Sequence, residues 1–325
     1  MHRLIRVAAV VVLLLAAPLR ADGNIESPMW IASQSPLQSL HLGLLPAVPR
    51  DLAPGEVSVQ RSETWTNVWI DQRPDLLVDY EAFDSRIGVN VGLPRSMQFQ
   101  IVLEDRVGTG GSLDPLIENF HRVIGNRDER HTVQRGTVNI EVRDPKTGAL
   151  IIQRHSLGEF SRAASATLSR RHTLRRGEFA EAVSVRVPRK GSDPLGPGGA
   201  DAGVSLAWSG LIGERSVHAG AGLSRLAMPN VGTLRVGRIE KTLLIAAAQP
   251  MTARSALITQ YLFNASIART GPLASGSHEL TVGTRVHVTP YTAFDVGVVE
   301  NIINLKNGPD FGLHFGLMHD VKRRR

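Results

Sequence analysis

Polar side chains able to bind or sort a solute recur at every second position along several stretches of this chain. Arg86 and Asn90 share one parity, as do Gln98, Gln100 and Glu104. Arg186, His218, Glu279, Arg285, His287, Asp295 and His314 repeat the pattern further on. Rings of such groups set ion or solute preference when they line a pore. Because both signs are present, the same residues would equally serve as internal ion pairs filling a narrow, closed barrel, and the mixture of signs leans that way.

Hydrolytic chemistry finds less support. His155-Ser156 and Ser277-His278 are adjacent pairs, and neighbours along a strand point to opposite faces, where serine cannot hydrogen-bond to histidine. His172 stands beside Arg171 with no nucleophile in view, and no Gly-x-Ser-x-Gly occurs. Asp193 and Asp201 flank Pro194-Leu195-Gly196-Pro197-Gly198-Gly199, which is ordinary turn chemistry rather than a calcium site. No catalytic residue, metal ligand or cofactor is therefore assigned. The absence of cysteine excludes thiolate-ligated metals and disulfide scaffolds.

The elements that position these side chains are strands. Ile87, Val89, Val91 and Leu93 alternate with Arg86, Gly88, Asn90 and Gly92. Phe99, Ile101 and Leu103 alternate with Gln98, Gln100 and Glu104. Val204, Leu206 and Trp208 oppose Gly203, Ser205 and Ser209, and Val296 and Val298 oppose Asp295 and Gly297. A period of two means a sheet with two unlike faces. That pattern fits a soluble sandwich or a transmembrane barrel with an apolar outside and a polar lumen.

Three features favour the barrel. Its strands are longer than those usual in soluble sheets. Glycine, at 31 residues, crowds the polar parity. Connections alternate between short ones (93–96, 211–215, 249–253, 289–291) and long ones (108–130, 189–200, 266–276). The fold expected is all-β, a transmembrane antiparallel barrel of 12 strands near 56–69, 76–92, 97–106, 158–170, 178–188, 201–210, 216–226, 233–246, 254–264, 278–288, 292–302 and 310–320. A hairpin at 137–142 and 150–153 either belongs to the loop after the third strand or raises the count to 14. Within 233–246, charges occupy both parities, and Arg162 and Glu181 fall on apolar ones. Such residues belong at the rims or at bulges, since a charge facing lipid at the midplane is costly. With three tyrosines and four tryptophans, aromatic girdles would be sparse.

Residues 113–124 read as a short amphipathic helix in a long outer loop. Pro115 suits its first turn, and Leu113, Leu116, Ile117, Phe120 and Ile124 form one face. That helix would either constrict the barrel mouth or pack as a cap on other loops.

Arg3 and Arg6, the apolar run Val7–Ala17 and Pro18–Ala21 have the order of a secretory signal peptide, with cleavage expected near Ala21. The run is too short to span a bilayer as a helix. Removing Arg3, Arg6 and Arg20 leaves 34 of 37 basic residues against 30 acidic, so the formal +7 falls to about +4. The remaining basic residues are scattered without an aromatic array, which excludes nucleic acid as a partner. The chain then divides into a signal peptide (1–21), an N-terminal leader or plug (22–54), the barrel (55–321) and a basic tail (322–325).

Ser33-Gln34-Ser35-Pro36-Leu37, Gly43-Leu44-Leu45-Pro46 and Leu52-Ala53-Pro54-Gly55 resemble a family of Gram-negative outer-membrane proteins catalogued only as a domain of unknown function. Gly110-Gly111-Ser112-Leu113-Asp114, Ile117-Glu118-Asn119-Phe120-His121 and Asn126-Arg127-Asp128 resemble its second block. Leu157-Gly158-Glu159, Val187-Pro188 and Gly198-Gly199-Ala200-Asp201 are similar to segments of transporter-type porins. Glu159 replaces a more usual aspartate, and Arg189-Lys190-Gly191 replaces a Thr-Gly turn. The resemblance implies an outer-membrane barrel and transfers no activity.

The function expected is porin-like passage or binding of small solutes in the outer membrane of a Gram-negative bacterium. The alternatives are a non-conducting structural or adhesion barrel and an outer-membrane lipid-modifying enzyme. Expected partners are outer-membrane lipid and lipopolysaccharide, the barrel-assembly machinery and a small solute, with the protein a monomer.

Overall fold

The computed structural model describes residues 26–111, 113, 115, 136–144, 146–189, 199–227, 230–231, 234–235, 237–269, 273–301, 303 and 307–321. The segment expected as a signal peptide (1–21), Asp193, residues 322–325, and Leu116, Ile117, Phe120 and Ile124 of the candidate helix lie outside the described residues.

The strands are β1 (Val57–Gln72), β2 (Leu76–Leu93), β3 (Met97–Thr109), β4 (Asn139–Arg143), β5 (Leu150–Arg154), β6 (Gly158–Leu174), β7 (Gly177–Pro188) and β8 (Asp201–Ile212). They continue with β9 (Arg215–Arg225), β10 (Asn230–Val231), β11 (Leu234–Arg235), β12 (Ile239–Thr252), β13 (Ser255–Asn264), β14 (Ser277–Thr289), β15 (Thr292–Asn301) and β16 (Phe311–Val321). Twelve of them form a closed antiparallel barrel in which each pairs with its neighbours in the chain. β16 returns to β1 through an eleven-residue register from Val57↔Val321 to Asn67↔Phe311, which removes the free edge an open sheet would leave.

The hairpin of uncertain membership resolves simply. β4 pairs with Leu76–Asp79 of β2, beyond the stretch Glu81–Leu93 that β3 occupies, and β5 pairs with β4 alone. It is part of the β3–β6 connection, and the ring keeps its 12 strands. β10 and β11 are a two-residue hairpin within the β9–β12 connection.

The eighth strand of the ring is shifted from its expected place. It runs 239–252 rather than 233–246. Pro250 marks a sequence break, yet it sits at a register shift next to the turn, where a missing N–H is tolerated. With this shift the charge conflict disappears. Arg235 belongs to the small hairpin and Arg238 to the loop, Glu240 is buried on the inner face, and Lys241 is exposed near one rim. Arg162 and Glu181 also lie near the rims, pointing outward. Arg162 pairs with Asp105 at 3.3 Å, and Glu181 with His172 at 3.3 Å.

Short turns at 94–96, 175–176, 213–214, 253–254 and 290–291 gather at one end of the barrel. The long connections gather at the other. There β1 and β2, with 16 and 18 residues, rise beyond the ring. Their inward side chains, including Val68, Ile70, Val78 and Tyr80, pack with Ile140 and Val142 of β4 and with Leu37 and Leu40 of the leader. Loop residues Leu226, Ile267 and Leu273 complete the cluster. An apolar cap thus covers the long-loop mouth.

The two faces of the wall are unlike. Outward apolar residues such as Ile245, Leu206 and Val296 are more than half exposed, whereas inward polar residues such as Arg285, Asn90 and His314 are buried. A monomer that met only water on its outside would not carry so continuous an apolar band.

Candidate functional site

The interior is occupied by the chain's own N-terminal segment. Residues 26–50 contain no strand, and their backbone-to-backbone hydrogen bonds run to one another rather than to the wall. The segment traverses the lumen twice. An ascending limb passes from Glu26, near the short turns, to Ser33 and Gln34. A 3-10 turn at Gln38–Leu40 reverses direction beneath the cap. A descending limb then runs from His41 to Arg50, whose guanidinium pairs with Asp320 at 2.8 Å beside the exit of β16.

Glycines on the inner parity provide the room. A Cβ on Gly283 would lie 2.4 Å from Met29 Cε, and one on Gly220 would lie 2.1 Å from the Pro46 carbonyl oxygen. The polar-parity glycines Gly88, Gly203, Gly220, Gly222, Gly283 and Gly297 therefore lie where the leader passes, and not simply in turns.

Three anchor points fix the leader to the wall. At the first, Arg285 of β14 donates through Nε and Nη2 to both oxygens of Asp295, at 2.7 and 2.8 Å. Its Nη1 reaches Glu26 at 3.3 Å and the Ser27 carbonyl at 2.9 Å. His287 meets the other Glu26 oxygen at 2.8 Å. The bidentate fork suits arginine and not lysine.

At the second, a ladder of alternating charge runs Arg106–Asp84–Arg86–Glu104–Arg186 across β3, β2 and β7, with separations of 3.2, 2.8, 3.9 and 3.0 Å. Its ends hold the leader. Arg106 donates to the Gln34 side-chain oxygen at 3.0 Å, and Arg186 donates to the Leu40 carbonyl at 2.7 Å. At the third, Glu279 accepts from Ser33 Oγ at 2.6 Å and the Gln34 N–H at 2.8 Å, while Asp201 accepts from the Leu42 N–H at 3.0 Å and lies 3.2 Å from His41. Buried charges that keep partners of this kind avoid the cost of desolvating an unpaired ion.

All twelve polar residues singled out in the sequence point inward. Arg86, Glu104, Arg186, Glu279, Arg285, His287 and Asp295 belong to the anchor points. His218 Nδ1 lies 2.6 Å from Ser209 Oγ with its Nε2 against the Glu26 carbonyl, and His314 Nδ1 lies 3.1 Å from Thr64 Oγ1. Asn90, Gln98 and Gln100 face a cavity beside the leader. Sequence reasoning missed Asp84 and Arg106, although both continue the parity of Arg86 and Glu104. It also missed the Ser209–His218 contact, because it looked for serine and histidine side by side in sequence. Both residues are buried against the leader, which makes the contact a further attachment of Glu26.

Of the five helix candidates, Leu113 is described. It packs on Phe311, Trp65, Val298 and Leu313, on the side of the strands facing away from the lumen, and its N–H donates to Glu81. The loop therefore leaves β3 over the outside of the barrel at this point, not into its mouth. Among the described residues no group of His, Cys, Asp or Glu has the arrangement to hold a metal ion.

The cavity lies between the two limbs of the leader and the wall formed by β1, β2, β3, β6, β7, β8 and β16. Its volume is 150 Å³. Gln98, Ser169 and Met318 place it toward the short-turn end.

Fold and interior together define a closed β-barrel with a polar inner face and an internal N-terminal plug. The chain belongs to the family described as "Protein of unknown function (DUF3187)", whose pattern matches residues 4–321. Among solved structures it is similar to the COG4313 outer-membrane channel from Pseudomonas putida F1, with 10% identity and a TM-score of 0.54 over 83% of this chain and 97% of that one. It is more distantly similar to the NanC porin, with 7% identity and a TM-score of 0.46 over 82% and 100%. The translocator domain of the autotransporter NalP from Neisseria meningitidis matches with 8% identity and a TM-score of 0.44 over 82% and 89%. The first of these likenesses shows the fold. No curated protein matches.

Proposed function

We propose that this protein is an outer-membrane channel for small solutes, exported by a cleaved signal peptide and held shut by its own leader. The observation that carries this reading is the way the leader is attached. The wall is a continuous ladder of backbone hydrogen bonds, whereas the leader is joined to it by side-chain contacts alone among the described residues. It can leave the lumen without breaking a strand pair, and the inner face it exposes is polar and ready to hydrate.

The test uses the absence of native cysteine. A Cβ built on Gly222 of β9 would lie 3.4 Å from Leu44 Cβ, close to the spacing a disulfide needs. In the double variant L44C/G222C, oxidation should hold the descending limb in place and suppress conductance in planar bilayers, and reduction should restore wild-type openings. Equal conductance in both redox states would overturn the leader as gate.

Membrane insertion has its own prediction. Ile245 is central in β12 and 59% exposed on the outer face. Ile245→Arg is expected to cost about 2–4 kcal/mol of stability in lipid vesicles, as a charge at the bilayer midplane does, while Lys241→Leu near the rim changes stability by less than about 1 kcal/mol. Denaturant titration in vesicles measures both, and a cost below about 1 kcal/mol for Ile245→Arg would place that face in water.

The apolar cap favours a second reading, a barrel that never conducts and serves as a structural or adhesion element. Absence of conductance in reduced L44C/G222C and in wild type alike would select it.

A further inference from the structure

The cavity beside the leader has the chemistry of a binding site. Its wall side carries mostly amides and hydroxyls beside the paired Arg86 and Glu104, and its leader side includes Trp30, Ala32, Leu42 and Val48, which are apolar. Two buried amides meet there. Gln98 Nε2 donates to Asn90 Oδ1 at 2.8 Å. That bond leaves Asn90 Nδ2 and Gln98 Oε1 without a protein partner, although the residues are only 1% and 8% exposed. The bond uses one donor of one amide and the acceptor of the other. In either orientation of the pair, one donor and one acceptor are left unpaired within residues that line the cavity, the pattern that a hydroxyl, able to give and take, completes once the amides turn toward it.

Charge and size narrow the ligand further. Each charged side chain at the cavity already has an opposite partner: Arg86 with Asp84, Glu104 with Arg186, Arg50 with Asp320. An ionic ligand would have to compete with one of these pairs, two of which are buried. A volume of 150 Å³ is about that of a cavity that accepts a single six-membered ring. A ring with hydroxyls on its edge and C–H groups on its faces would satisfy the amides while laying an apolar face against Trp30.

We propose that this cavity binds one neutral, polyhydroxylated six-membered ring, a monosaccharide or cyclic polyol, entering from the short-turn end. The proposal deepens the solute-passage reading and rests on it for the route by which the ring arrives.

The test is calorimetric titration of the purified full-length protein in detergent with glucose, galactose and myo-inositol, beside glucuronate and glucosamine as charged probes and cyclohexanol as an apolar one. At least one neutral polyol should bind saturably, with the charged and apolar probes at least about tenfold weaker. Asn90→Leu should weaken binding at least about tenfold, the effect of leaving a hydrogen bond unmade in a buried site. Trp30→Ala lies on the leader outside the wall, so it tests the same site if Asn90→Leu does not assemble, and it should weaken binding similarly. Absence of saturable binding by all three neutral polyols, a preference for a charged probe, or undiminished binding in both variants would overturn the proposal. Redox-controlled conductance of L44C/G222C without polyol binding would sink the cavity proposal and leave the gate intact. Polyol binding without redox control would do the reverse.

Discussion

Deleting residues 26–50 is expected to raise single-channel conductance by roughly an order of magnitude or more while the barrel still assembles. The leader fills the bore along two paths, and over both the wall beneath it is reduced to glycine: Gly283 and Gly297 under Met29, Gly203 and Gly222 under Leu44, Gly220 under Pro46. Once the leader is gone, nothing in those tracks replaces its volume. The ring keeps all its ladders, because no leader residue belongs to one. Arg106, Arg186, Glu279 and Asp201 lose leader partners, but in an open lumen water takes their place, so the loss does not leave buried charges unsolvated. Planar-bilayer recording of the deleted and full-length proteins decides the matter. A heat-dependent gel mobility shift in both proteins would show that the deleted barrel still assembles. Unchanged conductance in an intact barrel would shift the barrier from the leader to the apolar cap at the long-loop mouth.

The second large effect is expected at Arg285. This side chain is 1% exposed and binds Asp295, Glu26 and three backbone or hydroxyl oxygens of Ser27 and Pro28. Arg285→Met would leave Asp295 buried without its cation and Glu26 with His287 as its remaining charged partner. Breaking a buried pair in this way costs about 3–5 kcal/mol. The barrel can relieve that cost by letting the ascending limb leave and water enter, so the penalty falls on the closed state. A shift of this size changes a two-state ratio by about a hundredfold or more. Open probability in bilayers should rise accordingly, and protease added from the short-turn side should cut the leader faster. Arg162→Met provides the contrast. Arg162 pairs with Asp105 on the outer rim with both side chains about two-fifths exposed, where an ion pair is worth about 0–1 kcal/mol, and gating should not change. If both variants behave alike, the anchor assignment is wrong.

Much of the wall was legible because a strand records its environment locally. The alternation of Ile87, Val89 and Val91 with Arg86, Gly88 and Asn90 needs only the two-residue period of the pleat. Long and short connections, counted along the chain, set the orientation of the strands. Where local signals misled, the reasons are physical. The eighth strand was expected at 233–246, yet it runs 239–252, and Pro250 is accommodated beside a register shift and turn. The helix that begins at Leu113 was read as constricting the mouth or capping other loops, and at Leu113 the chain finds its apolar partners on the outer surface, at Phe311 and Trp65. Trp30, counted with the aromatics available for girdles, lies in the leader beside the cavity.

The sequence by itself determined an all-β barrel and the two faces of its wall, because parity and spacing within a few residues record them, whereas the count of 12 rather than 14 waited for the pairing of β4 with β2. The tertiary structure alone decided what the inward residues meet. Arg285 finds Glu26, Asp201 finds His41 and Glu279 finds Ser33 across separations of 259, 160 and 246 residues, and no local period encodes such pairings. They arise because closing a ring of polar faces creates an interior that must be filled with water or with complementary chain. This chain supplies residues 26–50 for that interior, and the glycines that alternation placed on the polar side are where that segment fits.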